Sequence, residues 1–484
     1  TSQDIKQTLE NKLDEDCRIT ILGHFQRGGA PSAFDRYMST VLGYHAVDHI
    51  LNSPDDEESM LIGMRRNKVQ SVSLMDSVKK THSIYDCISN GEYDKAIELR
   101  GGSFREALTT FRTLRQASTK IRKEGEKLLK IGLLNTSGPA PGMNITNRTA
   151  VRLAMDQGHE IIGFKNGYEG LIHDQYMNLD WDSVEEWTSL GGTVLGTNRL
   201  APSEGDYYPI ATNLDKHEID GLLVIGGFSG YEATYNLMNN RDKYSAFNIP
   251  MIVVPASINN NLPGSDFSIG ADTALNSIVE AVDKIKESAV ASNRTFVVEV
   301  MGRYCGYLAL MSGLATGAEK VYLNEHGITL KGMMEDVTLL TEGFKSGKHL
   351  ALVIRSEFAN EIYTTNFMSS LFEEDGGDVF DVRTSILGHI QQGGDPSPFD
   401  RNIGTRFATK SINELIKHAN NGEKDCAFIG IHNGQMTFTD LFEFPRMIDK
   451  QLSRPKEQWW LKLRDIGYVF EKFYPEPEKA NFFK

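Results

Sequence analysis

The chain has 484 residues, 40% of them hydrophobic and 24% charged, enough to bury large cores and too apolar for a disordered segment. Lys and Arg number 51 against 65 Asp and Glu, so the formal charge of −14 disfavours nonspecific binding to nucleic acid or an anionic membrane, and any anionic ligand needs a local basic pocket. Four scattered cysteines without CxxC spacing, no apolar run near the ~20 residues of a membrane span and an opening TSQDIKQTLENK without a signal-peptide core indicate no disulfide framework, no zinc site and a cytoplasmic location.

From Arg18 the chain reads RITILGHFQRGGAPSAFDR, and from Arg383 it reads RTSILGHIQQGGDPSPFDR, with 13 of 19 positions identical. Farther on, LIGMRRNKVQSVSL from Leu61 lines up with FIGIHNGQMTFTDL from Phe428, the offset moving only from 365 to 367. The chain therefore carries an internal duplication. Only 21 residues precede Leu22, whereas 256 separate Ile131 from Leu387, so the first copy is short of about 235 residues and is expected to begin inside a domain. Residues 1–92 read as the tail of that first copy. Residues 93–129 read as a connector whose stretch from Gly101 has the spacing of an amphipathic helix, and 130–484 as a complete second copy with two subdomains. In the second copy the short apolar runs KIGLLN, EIIGFKN, GLLVIGG, MIVVPAS, TFVVEVMG and HLALVIRS alternate with helical stretches. That alternation predicts an α/β fold with doubly wound, mainly parallel sheets and with ligands at the carboxyl ends of the strands.

The loops after those strands are distinctive. NTSGPAPGMN from Asn135 leads into a helix carrying Arg148 and Arg152 on one face; taken alone, the two read as surface arginines. VIGGFSGYEA, VPASINNNLPGSDFSIGADTAL and NRTFVVEVMGRYCGYLAL follow, and none fits a dinucleotide fingerprint or a Walker loop. Together with LGHxQxGG they closely resemble ATP-dependent 6-phosphofructokinase of the duplicated eukaryotic type, the first copy resembling the end of a catalytic half and the second a whole regulatory half.

Phosphoryl transfer to a sugar hydroxyl needs a carboxylate to take the proton and acidic oxygens to hold magnesium against ATP phosphates. Active members of the family carry GGDGS and TIDND, where this copy has Gly226-Gly227-Phe228-Ser229-Gly230 and Ser257-Ile258-Asn259-Asn260-Asn261. A phenylalanine cannot hold the metal and an amide is no base. Amides do, however, tolerate an additional phosphate that carboxylates would repel. The resemblance thus implies a converted site for the activator fructose 2,6-bisphosphate, built from Arg199, Ser257, Ile258, Asn259, Asn260, Asn261, Met301, Gly302, Arg303, Glu357, His389, Ile390, Gln391 and Gln392. It adds Arg294 and Arg383 from a neighbouring subunit, and Arg454, which stands one position closer to Pro455 than the family register. Arg18, His24 and Arg27 match the fructose 6-phosphate segment of a catalytic half, and Gln392 is the retuned counterpart of Arg27.

A nucleotide or other polyanion effector site is expected at Arg148 and Arg152, with Lys286, Lys348 and Glu319 added by the resemblance. Mg2+ and ATP belong to the catalytic half and are expected to be bound by none of the residues present, so the chain alone is expected to be inactive within a glycolytic oligomer of phosphofructokinase subunits. Two alternatives remain open at this stage: a non-catalytic sugar-phosphate or nucleotide sensor, and a pyrophosphate-dependent relative.

Overall fold

The structure, a computed structural model, describes residues 1–54, 58–65, 68–114, 127–289 and 293–471. Thirteen of the fifteen strands among the described residues organise it. A hairpin, β1 (Met60–Arg65) and β2 (Lys68–Ser73), belongs to the first copy. The second copy contributes β3 (Lys130–Thr136), β4 (Glu160–Phe164), β5 (Tyr176–Leu179), β6 (Gly221–Gly226), β7 (Met251–Pro255), β8 (Arg294–Val300), β9 (Lys320–Tyr322), β10 (Leu350–Ser356), β11 (Asp381–Ile386), β12 (Cys426–His432) and β13 (Gln435–Asp440). A seven-stranded sheet runs in the order β13, β12, β7, β6, β3, β4, β5, parallel throughout its centre and antiparallel only at the outer pairs. A four-stranded sheet, β11, β8, β10, β9, is wholly parallel. The fold is thus α/β with mainly parallel sheets.

The central strands are apolar without alternation because both faces are covered; every residue of β6 and β7 is buried. Helices Met143–Asp156 and Pro398–Asn421 lie against each other, and the second also packs on β6 and β7, with Leu415 over Gly221. A second apolar cluster, including Tyr231, Leu237 and Phe428, fills the opposite side. Among the described residues no helix is long and apolar enough to cross a membrane.

The sequence repeat is also a repeat of conformation. Gly23–Arg27 and Gly388–Gln392 each form a single 3-10 turn, opened by glycines at φ +51° and +55° and followed by Gly29 at +106° and Gly394 at +95°. Positive φ at both positions explains why glycine recurs there. Ser32 and Ser397 then cap the helices Ala33–Asn52 and Pro398–Asn421, each accepting from the backbone N–H three residues on. The hairpins share their register: Leu61 faces Val72 and Arg65 faces Lys68, as Phe428 faces Thr439 and His432 faces Gln435.

The connector is helical but not continuous. It forms two helices, Tyr93–Leu99 and Gly102–Leu114, separated at Gly101 with φ +99°, and the second packs on the second copy, where Thr110 is buried and donates to Thr409 Oγ1 at 3.3 Å. Residues 115–126 of the expected helix lie outside the described residues.

Candidate functional site

The loops that follow β3, β6 and β7 enclose a cavity of about 280 Å3, with Arg199, Ser257, Asn259, Arg303 and Gln392 in its wall and Phe228 at its side. The loop after β7 is held from within. Asn260 sits at φ +50°, so its side chain turns inward, donating to the Asp266 carbonyl at 2.9 Å and accepting from the Ser268 N–H at 2.7 Å. Asn261 accepts from the Ser257 hydroxyl at 2.8 Å and donates to the Ser453 carbonyl at 2.8 Å. Asn259, between them in function, keeps a buried Oδ1 with no partner on the pocket side. A buried acceptor without a donor is the feature a hydroxyl-bearing ligand would satisfy.

One cation and one amide converge on Gly138. Gln392 Nε2 and Arg199 Nη2 come within 3.5 and 3.7 Å of where a Cβ would stand there, so a larger residue would occupy ligand space. Gln392 is oriented by His389, whose Nδ1 lies 2.7 Å from Gln392 Oε1. Arg303, at φ +52°, is fixed through its backbone: Glu357 Oε1 accepts from the N–H groups of Gly302 at 3.3 Å and Arg303 at 2.7 Å. Phe228 opens the helix Phe228–Asn239 and packs on Phe444 with ring centres 5.4 Å apart.

Several expected residues belong to the frame rather than to the wall. Gln391 is buried and bridges the Met301 N–H at 3.1 Å to the Gly388 carbonyl at 2.9 Å. Ile390 is exposed and Ile258 is buried. Arg454 is paired with buried Glu325 at 3.1 Å and donates to the Tyr304 carbonyl, bracing the turn after β8, and burial raises the Glu325 carboxyl above its ordinary range. Arg294 opens β8, and Arg383 is the third residue of its neighbour β11. The seven residues of β8 place Arg294 about 20 Å from the loop that carries Arg303, beyond the reach of a side chain into its own pocket. Arg18, His24 and Arg27 are all exposed, on the backbone that duplicates the Gln392 turn.

The sequence profile of the phosphofructokinase family matches residues 1–50 and 130–415. The chain belongs to the phosphofructokinase family. It is 40% identical over 486 residues to the platelet-type ATP-dependent 6-phosphofructokinase of Rattus norvegicus, and 38% identical over 485 residues to the muscle type of Homo sapiens. Those alignments take in 98% of this chain but only 61% and 62% of the relatives, so the chain spans about three fifths of their length. The crystal structure of Pichia pastoris phosphofructokinase in the T-state superposes with a TM-score of 0.91 at 34% identity, covering 97% of this chain and 55% of that one. The Saccharomyces cerevisiae phosphofructokinase structure gives the same TM-score at 32% identity, covering 97% and 65%. A pyrophosphate-dependent phosphofructokinase from Marinobacter aquaeolei, at 17% identity and TM-score 0.56 over 72% of this chain and 93% of that one, shares the fold alone.

Within the phosphofructokinase fold the five expected effector residues form two groups, and among the described residues no hydrogen bond or ion pair joins them. Arg152 is buried, donating to the Trp181 carbonyl at 3.1 Å and stacking over its ring at 4.6 Å. One turn earlier Arg148 is half-buried, and its Nε has no partner. Lys286 donates to the Thr316 carbonyl, while Lys348 pairs with Glu319 at 2.5 Å.

Sequence reasoning missed Asp400, which joins the repeat segment to the pocket side of the sheet. Its buried carboxylate accepts from the Gly270 N–H, the Thr273 N–H and the Thr273 hydroxyl, at 2.8, 2.8 and 2.6 Å. Burial first, then the neighbouring Asp272 carboxylate, push the Asp400 carboxyl from 3.8 up to about 7. An acid whose folded value is raised contributes stability fully below its unfolded value and loses it as pH rises through the folded one. Melting of the wild type should therefore decline between about pH 4 and 7 by a component that Asp400→Asn lacks. Parallel pH profiles of the two proteins would show that Asp400 is ionised throughout.

Proposed function

We propose that this chain is the regulatory part of an ATP-dependent 6-phosphofructokinase, which phosphorylates fructose 6-phosphate, and that its pocket binds fructose 2,6-bisphosphate. The observation that carries the reading is the wall of the pocket: Arg199 and Arg303 beside Asn259, Asn261 and Gln392, with Phe228 and amides at the positions where the family's active copy has carboxylates. This set does not fit Mg2+ and ATP, and no phosphoryl transfer is assigned to it. Arginine forks and amide donors suit a doubly phosphorylated sugar. Arg294 and Arg383 are assigned to a neighbouring subunit's pocket, as the effector site that would unite Arg148 and Arg152 with Lys286, Glu319 and Lys348 is assigned to a boundary between chains.

The first copy supports the same reading. In the second copy β12 pairs with β7, whereas its twin β1 has no second neighbour among the described residues. Ile412, Leu415 and Ile416 are buried under the sheet, whereas their counterparts Val47, Ile50 and Leu51 are 53%, 74% and 56% exposed. A first-copy sheet of the same kind would cover that face and present Arg18, His24 and Arg27 to fructose 6-phosphate. A sensor that never had a catalytic partner has no use for such a face.

Titration calorimetry with fructose 2,6-bisphosphate tests the pocket. Each lost charge-assisted contact costs on the order of 1.5–3 kcal/mol, about ten-fold or more in affinity. Arg303→Ala, Arg294→Ala and Arg383→Ala should each weaken binding to the assembled protein by that factor. Wild-type affinity in the last two would remove the shared site; loss confined to Arg18→Ala or Arg27→Ala would place the activator in the first copy.

A further inference from the structure

The amino-end side of the large sheet, remote from the pocket, gathers a set of side chains that the function above does not use. His418 lies in the last turn of the helix Pro398–Asn421, and Gly422, at φ +69°, reverses the chain so that Glu423 and Asp425 fold back over the imidazole before β12 begins. Nδ1 of His418 is 2.5 Å from Glu423 Oε2 and 3.2 Å from Asp425 Oδ2. It is buried, yet neither oxygen lies on a hydrogen-bond line to it. The other ring nitrogen, Nε2, is held by Glu414 Oε1 at 3.0 Å. Asn421 Nδ2 donates to the second oxygen of Glu423 at 3.1 Å, turning Oε2 toward the ring.

We propose that His418 Nδ1, Glu423 and Asp425 form a divalent transition-metal site, of the Zn2+ class, that fastens the end of this helix to β12. An imidazole held at one nitrogen by a carboxylate, with the other nitrogen facing ligand oxygens, is the arrangement found around metal-bound histidine. The charges agree. Glu414, Glu423 and Asp425 bring three negative charges and Lys417, 2.8 Å from Glu414, brings one positive, leaving two for a neutral imidazole and a divalent ion to balance. The helix carboxyl end adds negative potential of its own. One nitrogen and two carboxylates favour Zn2+ over Mg2+ or Ca2+, which take oxygen alone, and leave a fourth position for water.

The test uses the full chain stripped with chelator and titrated with ZnCl2, following heat and melting temperature. Wild type should bind one Zn2+ per chain at this site and melt at least about 2 °C higher. Co2+ in its place should show the visible d–d bands of a low-coordinate site. His418→Gln should abolish the shift and the bands, and Glu423→Gln, on the exposed turn and harmless to packing, should weaken binding about ten-fold or more. Equal zinc binding by wild type and Glu423→Gln would overturn the site. So would absence of binding combined with a lower melting point for His418→Gln, which would make His418 an imidazolium paired with its carboxylates.

Discussion

Arg355→Met should move the urea midpoint of the second copy down by the equivalent of about 3–5 kcal/mol, the cost of leaving the partners of a buried ion pair uncompensated. The guanidinium is almost wholly buried and pairs with Glu299 at 3.1 Å. It also donates to the carbonyls of Ser356, Glu357, Asn360 and Tyr363 at 3.1, 2.9, 2.7 and 3.1 Å, so one side chain pins the whole turn after β10. No apolar side chain can satisfy four carbonyls that are buried or partly buried. The same turn presents Glu357, whose carboxylate holds the backbone of Arg303 in the pocket. Loss of Arg355 should therefore weaken the fructose 2,6-bisphosphate binding proposed for that pocket even where the variant remains folded, and a variant with the wild-type urea midpoint would show that the turn is held by something else.

Leu415→Ala should cost about 2–5 kcal/mol in this chain, whereas Ile50→Ala, its twin in the repeat, should cost no more than about 0.5 kcal/mol. Leu415 is fully buried against Gly221 of β6; Ile50 is 74% exposed. Both lie on the helix that follows the repeated turn, so the difference measures what covers each face. In a longer protein that carries the rest of a first-copy sheet, Ile50→Ala should become as costly as Leu415→Ala. Chemical denaturation of both variants in both lengths decides it: an Ile50→Ala penalty that stays near zero in the longer protein would remove that sheet as the partner of this face.

Six strands were legible from the sequence, and all six lie inside their sheets. β3, β4, β6, β7, β8 and β10 have neighbours on both sides, so they read as unbroken apolar runs. The strands that escaped notice include all four edges, β5, β9, β11 and β13. They are short, like the three residues of β9, or carry charge on an open face, as Asp381 and Arg383 do in β11. Such edges resist pairing with other chains and thereby lose the pattern that announces a strand. The pocket was legible as loops but not as directions. Neighbours Asn259 and Asn260 diverge because one left-handed residue turns its side chain inward, and Gln391 and Gln392 also part, one into the frame and one into the cavity. His418, Glu423 and Asp425 are separated by ordinary surface residues, and only the turn at Gly422 brings them together.

The contact between Phe228 and Phe444 also bears on the history of this copy. Phe444 is buried and meets Tyr231 and Tyr235 as well, with ring centres 5.5 and 6.5 Å apart, so Phe228 is tied into an aromatic cluster. An aspartate at 228 would now lose those ring contacts and bring its charge against an apolar wall. If this copy is a converted catalytic one, as proposed, reversion is therefore opposed by its packing. On the proposed reading a lineage could regain the lost chemistry only through several coordinated replacements, so the division of labour proposed for the two copies would behave as a ratchet.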